Sequence, residues 1–287
     1  TYTVVNNSYS QVTDVAQISR SGRDLVAMMM RDIRMAGFKY FYGYNQANED
    51  LGENKIPRED YLEFIAGDTD TEKANSHVPI VIYKDIRGYE GLATADPESS
   101  KYLTVDPASK HKDTDPCCDR IHIVYGDFVE GDTAQPYKRY KTTYFALPVD
   151  QDNDKRYAAY KTVQSWQQGI DAEVGAWVTD CAECYVKQKI RDHVVDMEFI
   201  PLGFSGKILN PYPMPGSNVA ARDNLYRISA VDLRLTFRSK NMFYRFSSTD
   251  KPRWLKGLGD RHKAFTDKYL RDSVVVTIHT RNIAPDL

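Results

Sequence analysis

The sequence predicts an α+β protein, one long N-terminal helix packed on antiparallel β-sheet, and three observations carry that expectation. Over residues 12–37 the apolar side chains Val15, Ile18, Leu25, Met29, Ile33 and Ala36 recur at helical spacing, with Gly22 filling the gap, so one stripe stays on one helix face. Further along, Val231, Leu233, Leu235 and Phe237 alternate with Asp232, Arg234, Thr236 and Arg238, the period of a strand with one face in the core and one in water. The 287 residues also include 20 Tyr and 11 Phe, with 16 Gly and 13 Pro dispersed among them, which suits β structure joined by many loops.

Taking the elements in order, the helix carries Arg20, Arg23, Asp24, Arg31, Asp32 and Arg34 mostly off its stripe, and Arg31 and Arg34 complement the negative end of the helix dipole. Arg31, Asp32 and Arg34 are expected at its polar boundary. Gly37, free to take positive φ, is a natural stop. Each buried stripe side chain is worth about 1.5–3 kcal/mol, so the helix needs a large partner surface. Its start is open: Thr1, Thr3, Val4 and Val5 are poor helix formers, and Ser8 with Gln11 suits a capping box, yet the helix also fits a continuation through residues 1–10. Strands are expected over 61–65, 79–85, 120–128, 137–147, 193–201, 226–238 and 272–280, separated by long polar loops at 85–119, 150–180 and 202–224, with a short helix over 161–172. Two parts follow, a helix over 1–38 and a β-rich head over 39–287.

Charge and motifs exclude several functions. With 38 Lys+Arg against 40 Asp+Glu, the net charge of −2 provides no field for nucleic acid or anionic lipid. No apolar stretch approaches the roughly 20 residues of a membrane span. The chain opens at Thr1 without Met, which reads as processed or truncated. Cys117-Cys118 and Cys181-Ala-Glu-Cys184 suit two disulfides in an exported protein, with zinc ligation and free thiols as alternatives. Loop-closure entropy favours bridges between the two pairs, whereas a local 181–184 bridge needs the least folding to form. Asp150, Asp152 and Asp154 place carboxylates at alternate positions, as a calcium loop does, but Lys155 and Lys161 occupy positions where an EF-hand has Gly and Glu. The six His show no metalloprotease spacing, and no nucleophile elbow or glycine-rich phosphate loop is present. The expectation is a non-enzymatic chain without a cofactor, calcium aside. The aromatic clusters at 39–44 and 137–144 read as core and loop packing.

The segment Arg20-Ser-Gly-Arg-Asp-Leu-Val-Ala-Met-Met-Met-Arg-Asp-Ile-Arg-Met-Ala-Gly-Phe38 resembles the helix end of PilW-like minor pilins of type IV pili, whose helix closes with Arg-Asp-(Ile/Leu)-Arg-x-Ala-Gly-(Phe/Tyr). Residues 228–239 and 270–282 resemble the penultimate and last strands of that family, the latter ending in Arg281-Asn282. The resemblance implies a pilin-like fold and a structural role in the assembly-priming or tip complex of a pilus. It also implies a class III leader and an apolar half-helix, not contained in this sequence, that sits in the membrane before assembly and in the filament core afterwards. The implied partners are other minor and major pilins and a tip adhesin, with membrane contact only through that half-helix and none with nucleic acid. The implied place is the extracellular pilus, or the periplasmic face of the bacterial inner membrane before assembly. The J-type minor pseudopilin of type II secretion shares this plan and stays open as an alternative. From another class, so does a secreted β-rich binding module or hydrolase.

Overall fold

Alternating and β-branched runs draw most of the described chain into one antiparallel sheet that curls into a half-barrel. The structure, a computed structural model, describes residues 2–38, 78–84, 117–128, 137–149, 156–167, 176–179, 181–213, 224–244, 252–256, 262–281 and 283. In chain order these form helix α1 (Tyr2–Met35), then strands β1 (Ile80–Tyr83), β2 (Arg120–Phe128), β3 (Tyr137–Pro148), β4 (Tyr157–Gln167), β5 (Ala176–Val178) and β6 (Tyr185–Leu202). A 3-10 turn (Asn224–Arg227) leads into β7 (Ala230–Arg238), β8 (Arg253–Lys256), β9 (His262–Phe265) and β10 (Arg271–His279). The main sheet runs β1-β2-β3-β4-β6-β7-β10, with β5 on β4, while β8 and β9 pair separately.

The curl originates in β6. Its first half pairs with β4, from Val163↔Tyr185 to Tyr157↔Val194, and its second half pairs with β7, from Val194↔Phe237 to Leu202↔Ala230. Both ladders slip register, and His193, left-handed at φ 60°, stands where one partner gives way to the other. Such irregularities bend a strand and tighten its twist. Beside the second half of β6, Asp119 takes the place β4 leaves: its N–H donates to the Met197 carbonyl and its carboxylate accepts the Phe199 N–H, both at 2.8 Å. The start of β2 is thereby drawn against β6, and the sheet closes halfway on itself.

The α+β expectation is overturned. The described residues are mostly antiparallel β-sheet, and the described packing of α1 falls on its last 14 residues, 22–35. Val12 and Val15 are 68% and 43% exposed, and the Ile18 side chain lies outside the described residues. The reason is one of width. At about 1.5 Å per residue, 14 residues cover roughly 21 Å, close to the span of the six strands from β10 to β2 at about 4.8 Å spacing. The helix meets β7 and β10 at Gly22 and β2 at Gly37, so its described contacts fall on these last turns.

Other expectations also change. Of the helix expected over 161–172, residues 161–167 belong instead to β4, where Thr162, Gln164 and Ser165 are buried on a strand whose polar side chains disguise its period of two, and residues 168–172 lie outside the described residues. The loop expected over 150–180 therefore holds β4 and β5. The strand expected over 193–201 extends back to Tyr185, and the candidate at 61–65 lies outside the described residues. On β7 the polar face is not in water: Arg234, Thr236 and Arg238 are buried with Asp196 and Glu198 of β6. Arg234 donates to Asp196 at 2.9 Å and lies 3.6 Å from Glu198, so the charges answer one another in the interior.

His122 of β2 belongs to this second face, edge-on to Tyr83 at 5.1 Å. Burial, then the nearby positive charges of Arg120 and Lys141, hold its imidazole well below the ordinary histidine range. An unfolded chain therefore binds a proton near pH 6.5 that the folded chain refuses, and stability falls as pH drops below that value. Wild type should lose roughly 1 kcal/mol between pH 7 and pH 5.5 from this group alone. His122→Gln should flatten that part of a urea-unfolding pH profile; an unchanged slope would refute the assignment.

Candidate functional site

The side chains that decide how the helix sits on the sheet converge at the C-terminal end of α1. Gly22 allows the first close approach: a Cβ there would stand 2.9 Å from Phe237 Cε2 and 3.5 Å from Val274. Leu25, Met29, Ile33 and Ala36 follow at helical spacing, each 3% exposed or less, against the row of Leu233, Leu235 and Phe237 and the neighbouring strands. Ala36 is small where the helix reaches β2. Gly37, at φ 70°, then turns the chain, and its N–H donates to the Val124 carbonyl at 2.8 Å, while the Phe38 carbonyl accepts the Gly126 N–H at 2.7 Å. Main-chain bonds thus stitch the helix end to β2.

Asp32 adds a charged clamp. It lies three residues after Met29 and four before Ala36, hence on the packed face, and is 5% exposed. Its Oδ2 accepts the Tyr144 hydroxyl at 2.6 Å and lies 2.6 Å from Lys161 Nζ. Tyr144 and Lys161 are opposite each other in the β3–β4 ladder, so sheet register alone presents hydroxyl and ammonium side by side. Burial first, then the Asp32 charge, holds the phenols of Tyr125 and Tyr144 well above their ordinary range and pushes Tyr185 up to about 12. These tyrosines stay protonated, and Tyr144 acts as donor. Arg31 Nε stands 3.4 Å from Asp32 Oδ1 but is itself exposed, as is Arg34. The grouping of all three at a polar boundary is therefore corrected: Arg31 and Arg34 face solvent, whereas Asp32 is inside. A buried carboxylate held by a lysine and a phenol fixes the position of the helix end on the sheet.

The other sequence candidates lie elsewhere. Cys117 bonds to Cys118 and Cys181 to Cys184, so each bridge is local and the long-range pairings favoured by loop entropy are not formed. Cys117, Cys118 and Asp196 bring potential ligand atoms within 4.8 Å of one another, but both sulfurs are in the disulfide and neither is a free thiolate. Asp150, Asp152 and Asp154 lie outside the described residues, as does the aromatic cluster at 39–44. Sequence reasoning missed Tyr144 and Lys161. Asp32 itself gave a usable signal, because a carboxylate on an apolar stripe requires a buried cation or donor.

No protein-family model matches the chain, and no curated protein matches it. Among solved structures, a type IV-like pilin from Thermus thermophilus is similar over 58% of this chain and 79% of its own, at 15% identity and a TM-score of 0.36.

Proposed function

We propose that the chain is a structural subunit of a bacterial pilus, a minor pilin of PilW type that works in the assembly-priming or tip complex by packing rather than by bond chemistry. The observation that carries this reading is the helix anchor. Asp32 and Gly37, residues of the motif that resembles the pilin helix end, are those that meet Lys161, Tyr144 and Val124 on the sheet. On earlier turns of the same helix, Val12 and Val15 stand exposed, as suits a segment to be covered by neighbouring subunits. In this proposal residues 1–38 are the spine and 39–287 the head, and other pilins and a tip adhesin are the partners. The subunit rests at the periplasmic face of the inner membrane before entering the extracellular filament.

Deleting the gene in the source bacterium should sharply reduce surface filaments seen by electron microscopy, and antibody should detect the chain in sheared filament fractions of wild type. Normal filament numbers with the chain absent from those fractions would overturn the proposal.

A further inference from the structure

Two sulfurs and a carboxylate meet where the half-barrel closes. Cys117 and Cys118 are 1% and 2% exposed and stand directly before Asp119, whose N–H and carboxylate hold the start of β2 against β6. Asp196 of β6 is fully buried, and an oxygen of its carboxylate joins the two sulfurs in a trio whose members all lie within 4.8 Å of one another, the one such trio among the described residues. Arg234 donates to Asp196 Oδ2 at 2.9 Å, which orders the carboxylate as the outer partners of metal ligands do. The Cys117–Cys118 bridge joins neighbouring residues, so it closes no long loop and adds little by that route to the seam it sits in. Its chemical effect is larger, because it keeps both sulfurs from acting as ligands.

We propose that Cys117, Cys118 and Asp196 form a redox-gated site for a zinc-type dication, closed in the disulfide and open in the dithiol. A dithiol reductant opens it. One thiolate of the reductant attacks a protein sulfur, its second thiolate releases the mixed disulfide, and two electrons and two protons pass to Cys117 and Cys118 while the reductant becomes a disulfide. The dication then displaces both thiol protons to solvent and takes two thiolates and one carboxylate oxygen, with water as the fourth ligand. Bound there, it ties residues 117 and 118 to β6, a link that the disulfide within one dipeptide does not make. The assignment goes beyond the filament reading and does not rest on it.

Donor type and charge select the ion. Calcium and magnesium take oxygen ligands, and two of the three donors here are sulfur. An iron–sulfur cluster takes four cysteine sulfurs, and this site has two. Two thiolates bring two negative charges into the interior, which a dication answers in full and a monocation such as Cu(I) answers by half. A borderline-soft dication that accepts both thiolate and carboxylate, of which zinc is the type, meets all three conditions.

The test uses the full chain with Cys181→Ser and Cys184→Ser, so that one cysteine pair remains. Reduced with a phosphine and titrated with Zn²⁺ in a calorimeter, it should bind one equivalent, and the oxidised chain should bind none. The urea midpoint of the reduced chain should rise with zinc, since an ion held by the folded state stabilises it. Asp196→Asn should weaken binding at least tenfold. Because Asp196 also meets Arg234, X-ray absorption of the zinc-loaded parent gives a separate reading, expected to show two sulfurs with oxygen in the remaining positions. No uptake by the folded reduced chain, one equivalent still bound after Cys117→Ser, an absorption spectrum without two sulfurs, or parental affinity in a folded Asp196→Asn chain would each overturn the proposal. So would a urea midpoint that falls with zinc, which would place the ion on the unfolded chain.

Discussion

Asp32→Ala is expected to destabilise the fold by about 3–5 kcal/mol, because it leaves the Lys161 ammonium buried without its counter-charge. The clamp also predicts the rest of a series. Tyr144→Phe removes one hydroxyl to a charged acceptor and should cost about 1.5–3 kcal/mol. Replacing both ends together, Asp32→Leu with Lys161→Met, should return most of the loss, since a packed apolar pair of similar volume often equals a buried ion pair. Equilibrium urea unfolding would read all three. A single Asp32→Ala loss below about 1 kcal/mol, within the range of exposed pairs, would mean that the carboxylate is solvated and that the helix is held by apolar packing alone.

Arg234→Ala should be comparably severe, at about 3–5 kcal/mol, because it removes the guanidinium that answers both Asp196 and Glu198 in the interior. Arg234→Lys should recover only part, since a point charge cannot serve two carboxylates with the geometry of a guanidinium fork. Thermal and urea melts of the two variants test this directly. If Lys is as good as Arg, the site needs charge and not shape.

These two charged groups also mark where sequence reading succeeded and failed. β7 and β10 were legible because Val231, Leu233, Leu235 and Phe237, and then Val274, Val276 and Ile278, alternate cleanly against one core. The same alternation misled about the other side: Arg234 and Arg238 look like surface residues, yet Asp196 of β6 and the Tyr269 ring, just before β10, receive them in the interior. β4 was lost for a related reason, since Lys161, Thr162, Gln164 and Ser165 are polar yet enclosed, and polar residues on both faces erase the hydrophobic period. In the helix, Leu25, Met29, Ile33 and Ala36 were readable from spacing alone. How far packing continued was not, because it depends on the width of a sheet assembled from strands as distant as β10. The clamp was missed: Asp32 was placed at the polar boundary with Arg31 and Arg34, although its spacing from Met29 and Ala36 puts it on the packed face, and its partners arrive through the β3–β4 register, which no local pattern encodes.

The stitching of Gly37 to Val124 has a mechanical corollary. A pull on the amino end of α1, directed outward past β10, reaches the head at the opposite side, where Gly37 joins β2 and Asp32 joins β3 and β4. The load then draws the far strands toward the near edge instead of peeling that edge away. The head is held as a button is held by a thread knotted behind it, and its ladders are squeezed together under tension.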